Sequence, residues 1–216
     1  VSGFLEGADS LATLAAFRAM VVAIEGPAAG RVTIQGAGMH GLRRPAEALD
    51  LGNSGTSMRL MAGLLAGQAF DATLTGGASL SRRPMRRVVN PLGEMGASIG
   101  TTEAGTAPLL IRGGADLHGI DYVLPVASAQ VKSAILLAGL YADGVTSVTE
   151  PAVTRDHTER MFTAMGIEVG RQDGRIAVEG GQELVGARVE VPGDLSSAAF
   201  VMLAACISDS ANVLIR

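Results

Sequence analysis

The residues of this chain with the clearest chemical use are small, polar and placed where helices begin. In Leu51-Gly52-Asn53-Ser54-Gly55-Thr56-Ser57-Met58-Arg59, hydroxyls, an amide and two glycines run straight into an apolar helical pattern. The first turn of a helix leaves backbone N–H groups unpaired and carries roughly half a positive charge, and glycine lets a ligand approach that backbone. Such a turn holds an anion, and Arg59 adds a full charge beside it. A plain helix cap at Asn53 or Ser54 is the commoner use of the same residues, and the stretch alone leaves both readings open.

Similar helix starts fall at Ser128 to Gln130 and at Asp194 to Ser197. Where the first two point into one cleft, N–H groups, hydroxyls and the Gln130 amide suit a small, multiply anionic ligand such as a phosphate ester. Arg83, at the start of a helix expected from about Pro84 to Met95, sits where the dipole disfavours a cation, so a bound anion explains it better than a solvated charge does. Asp156 with Glu159 reads as a capping box, which leaves Arg155 free to reach a ligand.

Those positions imply a repeated scaffold. Helices are expected over 56–67, 84–95, 129–139 and 158–165, and strands over 70–75, near Ile99, over 109–111, 145–149, 167–169, 175–179 and 189–191. Even short phrases recur, as in Leu64-Leu65-Ala66-Gly67 and Leu136-Leu137-Ala138-Gly139. The period is roughly 70 to 75 residues, and each unit reads strand, helix, strand, helix and paired strands. The fold class is therefore α/β, built of repeated βαβαββ units. Ahead of them, Val1 to Leu5 reads as a strand, a helix capped at Asp9 or Ser10 runs to Met20, and Arg31 to Gln35 reads as a half-buried strand with Val32 and Ile34 inward. By this register residues 1–191 form one domain of three units whose first helix is missing. Residues 192–216 form a hinge and the start of a second domain, so a segment of a longer protein is expected.

Composition excludes other classes. Among 216 residues, 48% are hydrophobic and only 3% aromatic, with 29 glycines and no Trp, so the core must be aliphatic and Met-rich. A net charge of −4 argues against a nucleic-acid partner bound through an overall basic surface. A single cysteine, Cys206, rules out an internal disulfide and fits a cytoplasmic protein. The longest apolar runs fall well short of the roughly 20 residues of a membrane span. Gly36-Ala37-Gly38-Met39-His40-Gly41 matches the dinucleotide-binding glycine pattern, but Pro45 blocks a clean helix start and no acidic residue follows at the required distance.

The segments Leu51 to Thr56 with Met58-Arg59, Arg83-Pro84-Met85, Ala127 to Ala134 and Thr154 to Glu159 together resemble the 5-enolpyruvylshikimate-3-phosphate (EPSP) synthases, in the subgroup with Ser-Ala-Gln at 128–130. The resemblance covers almost the whole chain. It implies an inside-out α/β barrel of βαβαββ units, paired with a second domain. It also implies transfer of the enolpyruvyl group of phosphoenolpyruvate to the 5-hydroxyl of shikimate 3-phosphate, with glyphosate competing with phosphoenolpyruvate, and neither metal nor organic cofactor. Carried over, Asn53, Gly55, Thr56, Arg59, Arg83 and Gln130 line the phosphoenolpyruvate site, and Ser128, Ala129, Gln130 and Arg155 hold shikimate 3-phosphate. The catalytic acid and base are expected outside this segment. The alternatives are a UDP-sugar enolpyruvyl transferase, whose usual reactive cysteine loop has no counterpart here, and a non-catalytic anion-binding domain.

Overall fold

The computed structural model describes residues 1–209 and 212–214, without the side chains of 195–197. Two βαβαββ units stand out by identical sheet topology. The first of them runs β3 (Leu49–Asp50), α2 (Gly55–Ala66), β4 (Ala72–Thr75), α3 (Arg86–Glu94), β5 (Ser98–Gly100) and β6 (Leu109–Arg112), after α1 (Ala8–Ala19), β1 (Ile24–Ala28) and β2 (Arg31–Ile34). The next runs β7 (Asp121–Val123), α4 (Ala129–Gly139), β8 (Val145–Thr149), α5 (His157–Ala164), β9 (Val169–Gln172) and β10 (Arg175–Glu179), and α6 (Leu195–Cys206) follows. One sheet is ordered β3-β4-β6-β5 and the other β7-β8-β10-β9, each opening on a parallel pair and continuing antiparallel.

The same order recurs in outline at the beginning of the chain. Ser2 bridges Arg31 antiparallel and Glu190 parallel, so residue 190 takes the place that β3 and β7 take in the other sheets. The strands expected at Val1–Leu5 and Val189–Val191 are thus reduced to single bridging residues. Their remaining backbone bonds are few, chiefly Ser2 N to Val189 O and Val191 N to Ser2 O, both 2.9 Å.

Helices α2 and α4 form the interior. They run parallel and so close that a β-carbon on Gly63 would stand 2.1 Å from the Ala134 carbonyl oxygen. Only glycine permits that approach. Val131, Ala134, Ile135, Leu136 and Ala138 of α4 meet Met58, Met61, Ala62 and Leu65 of α2 in one aliphatic core that also takes Met85, Leu92 and Met95. Helices therefore lie inside and sheets outside, which explains why so few aromatics suffice. No helix among the described residues is long and apolar enough to cross a membrane.

Several expectations need correction. The helix expected from Pro84 begins at Arg86, after a short 3-10 turn over Leu80–Arg82. Arg83 is extended because a residue before proline is pushed out of the helical region, so the dipole argument applied to Arg83 does not hold. The first helix is flanked by Gly7 with no side-chain cap, rather than capped by Asp9 or Ser10. Ile34 is 52% exposed, because the two-stranded β1–β2 sheet buries only Val32 on that strand. Strand β9 begins at Val169, two residues later than expected, and the two-residue β3, three-residue β7 and β1 are too short or too irregular to show an alternation. The glycine-rich loop over 36–41 has no helix after it until Gly55.

Candidate active site

The turn into α2 is built by its own residues. Gly52 takes a left-handed φ of 57°, its N–H donates to Asp50 Oδ1 at 2.9 Å, and Ser54 Oγ caps the helix by accepting from Ser57 N at 3.2 Å. Ser54, not Asn53, is therefore the cap. Asn53 is exposed and faces Gly77, with its Oδ1 2.9 Å from where a Gly77 β-carbon would stand. At the start of α4 Ser128 does the same work, accepting from Val131 N at 3.4 Å, and its hydroxyl proton remains available to an anion.

The ends of α2 and α4 are stitched together. Arg59 Nη1 donates to Gln130 Oε1 at 2.9 Å and to the Gly55 carbonyl at 3.0 Å, while Nη2 donates to the Pro84 carbonyl at 3.1 Å. The opposite end of the Gln130 amide donates to Thr56 Oγ1 at 2.7 Å. Since a guanidinium only donates, this orientation of the amide is required. Arg59 thus forms the wall of the site.

Positive charge gathers over the first turn of α2. Nη1 of Arg59 and Nη1 of Arg83 each lie 2.8 Å from the point a Gly55 β-carbon would occupy. Burial, then Arg83 and then Arg87, hold the Arg59 guanidinium below its ordinary pKa. Among the described residues, no carboxylate forms an ion pair with any of the three. Like charges held together without a counterion, above unpaired N–H groups, are suited to an anion supplied from outside.

Beside this cluster lies an open cavity of about 440 Å³ lined by Ser128, Ala129, Gln130, Val153, Thr154 and Arg155. Arg155, on the loop between β8 and α5, makes no hydrogen bond or ion pair with the described residues. The expected capping box does not form: Asp156 pairs with Arg160 at 2.8 Å and Arg171 at 3.5 Å, and Glu159 is buried elsewhere. Gln130 belongs to both halves, so Gly55, Thr56, Arg59, Arg83, Ser128, Ala129, Gln130 and Arg155 share one surface. The third helix start forms the beginning of α6, but the side chains of 195–197 are outside the described residues.

Sequence reasoning missed Arg87, Val153 and Thr154. Arg87 stands four residues after Arg83 and could have been found from that spacing. Thr154 opens the segment Thr154 to Glu159 that carries the resemblance, with no role attached to it there, and Val153 carries no such signal.

The sequence matches the EPSP synthase (3-phosphoshikimate 1-carboxyvinyltransferase) family along residues 1–216. Two relatives named 3-phosphoshikimate 1-carboxyvinyltransferase, from Alkalilimnicola ehrlichii and Methylococcus capsulatus, are 64% and 65% identical over 216 residues. All of this chain is covered, against 48% and 49% of theirs, so the chain spans about half the length of the curated relatives it matches. The structure superposes on EPSP synthase from Acinetobacter baumannii with a TM-score of 0.90 at 61% identity, covering 96% of this chain and 47% of that one. With the paired βαβαββ sheets around buried helices, these similarities make the chain a member of the EPSP synthase family, with its inside-out α/β fold.

Proposed function

We propose that this chain supplies one wall of an active site that transfers the enolpyruvyl group of phosphoenolpyruvate to the 5-hydroxyl of shikimate 3-phosphate, a transferase step of aromatic amino-acid biosynthesis in the cytoplasm. The observation that carries the reading is Gln130, which joins a carboxylate-free arginine cluster to a second polar cavity. In the assignment, Asn53, Gly55, Thr56, Arg59, Arg83 and Gln130 take phosphoenolpyruvate, with Arg87 adding to the field. Ser128, Ala129 through its backbone, Gln130 and Arg155 take shikimate 3-phosphate.

The physical task is to bring two anions together. Fixed helix dipoles and guanidinium groups offset their repulsion and orient the hydroxyl, which gives up its proton as its oxygen bonds to C2 of phosphoenolpyruvate while C3 takes up a proton. C3 then loses a proton as the bond from C2 to the phosphate oxygen breaks. None of the residues lining the 440 Å³ cavity is a carboxylate, lysine or histidine. The general acid and base are accordingly assigned to a second domain of the same full-length chain, facing residues 1–191, with 192–216 as the hinge and start of that domain. The test is phosphate release by the full-length enzyme from the two substrates, compared with the 216-residue segment alone. Turnover by the first and none by the second is expected; turnover by the segment alone overturns the division of the site.

A further inference from the structure

Behind the cavity lies a charged cluster that none of the proposed ligand contacts uses. Lys132, one turn into α4, has a side chain only 1% exposed, and its Nζ reaches Glu150 Oε2 at 3.0 Å and Glu159 Oε1 at 2.7 Å. The two carboxylates are 6% and 1% exposed. Three more bonds extend the cluster. The Thr154 hydroxyl donates to Glu150 Oε1, Glu150 N donates to the Gly174 carbonyl at 3.1 Å, and Ser133 Oγ meets Thr158 Oγ1 at 2.6 Å.

Burying three charges with a net of minus one is expensive, and the buried Glu159 Oε2 has no hydrogen-bond partner among the described residues. Apolar side chains of similar shape would hold the fold at lower cost. What they lack is direction: ion pairs and hydrogen bonds fix one register between the elements that carry them. Those elements are α4, whose first residues are Ala129 and Gln130, and the ends of the irregular loop 151–156, which carries Thr154 and Arg155. Lys132 holds Glu150 at one end of the loop and Glu159 just past the other. Glu150 in turn holds Thr154 at its middle.

From this we infer that Lys132 and Glu150 are positioning residues, which set the Arg155 loop against the start of α4 so that the two sides of the 440 Å³ cavity keep one spacing. Their effect is on the ligand in that cavity, which under the proposed function is shikimate 3-phosphate, and the identity of that ligand rests on that reading.

The variant that isolates the device is Glu150→Leu in the full-length enzyme, since it cuts the links to Lys132 and Thr154 and leaves Lys132 paired with Glu159. Glu150→Gln accepts from Lys132 through its amide oxygen and donates its NH2 to the Thr154 hydroxyl, so both links persist with the second reversed, and it serves as the conservative control. Hydrogen exchange of the amides of residues 150 and 160, which close the two ends of the loop on the Gly174 and Asp156 carbonyls, should quicken about tenfold in Glu150→Leu in the ligand-free enzyme, with the core amides of α4 unchanged. The KM for shikimate 3-phosphate should rise about tenfold, with kcat and the KM for phosphoenolpyruvate within about threefold of wild type. Glu150→Gln should stay close to wild type in both measurements. Thr154→Val, which cuts only the Glu150–Thr154 link, carries the same exchange test if Glu150→Leu does not fold. Unchanged loop exchange, or equal losses for both substrates, overturns the inference. If the wild-type enzyme turns over neither substrate, the proposed reaction fails, while the exchange measurement still decides this one.

Discussion

Arg59 on α2 and Gln130 on α4, 71 residues apart in sequence, are joined by a 2.9 Å hydrogen bond at the mouth of the candidate site. The same amide reaches Thr56, so a single side chain links two helix starts and one guanidinium. Replacing Gln130 by Leu removes both links and leaves Arg59 with its two backbone acceptors. Phosphoenolpyruvate and shikimate 3-phosphate should both bind about ten- to a hundredfold more weakly, since hydrogen bonds to charged groups contribute roughly 1.5–3 kcal/mol. Titration of each ligand into the full-length variant checks this, and loss for one ligand alone would show that Gln130 serves a single half.

Arg83 belongs to the arginine cluster over Gly55, and Ser128 to the lining of the neighbouring cavity. Arg83→Ala should weaken phosphoenolpyruvate by about one to two powers of ten and shikimate 3-phosphate far less, whereas Ser128→Ala should do the reverse. The separate KM values of the two variants are the measurement. Equal effects on both substrates would mean that the cleft is divided differently.

Gly55 is where shape and charge meet. A β-carbon there would stand 2.8 Å from Nη1 of both Arg59 and Arg83, so Gly55→Ala must displace the ends of two flexible guanidinium groups. Phosphoenolpyruvate affinity should fall modestly. Under the proposed function glyphosate, the longer competitor that the resemblance implies, should lose much more. Inhibition constants for wild type and Gly55→Ala at matched shikimate 3-phosphate test this, and equal constants would end the steric argument.

The Gly63 contact makes a stability prediction. A side chain at 63 meets the Ala134 backbone rather than a movable side chain, with the carbonyl oxygen 2.1 Å from the β-carbon position. Gly63→Val should cost at least about 2 kcal/mol by forcing α2 and α4 apart, read as a lower denaturant midpoint. A midpoint equal to wild type would show that the helices can separate freely.

Asp71 gives a pH dependence. The Gly113 N–H, at 3.0 Å, and the Arg112 guanidinium, at 2.8 Å, hold its carboxyl below the usual carboxylate range. A lowered folded value means the contribution to stability is present above the unfolded value of about 3.9 and is lost as pH falls through the folded one. Asp71→Asn should therefore be less stable than wild type at neutral pH, with the gap closing in acid. Parallel stability curves for the two proteins down to about pH 2 would contradict the assignment.

By itself the sequence determined the repeat, the fold class and the helix starts that border the candidate site. Those are local: glycine and hydroxyl residues before an apolar run specify a turn into a helix, as at Gly52–Ser57 and Ser128–Val131, whatever packs on it later. The 129–139 helix and the 175–179 strand lie where pattern places them, because the first is an almost continuous apolar run and the second alternates, while the 145–149 strand is legible only from its β-branched residues. Tertiary structure alone decided the rest. Strands of two or three residues such as Leu49–Asp50 and Asp121–Val123 exist only through their partners. Asp156 and Glu159 fit a capping box locally, yet Arg160, Arg171 and Lys132 outcompete the helix end for their carboxylates. Nothing in the sequence pairs Lys132 with an acid, and only the fold brings Glu150 and Glu159 to it. Spacing along a chain records which residues share a face, whereas a desolvated charge is stabilised by whatever distant partners the fold delivers to it.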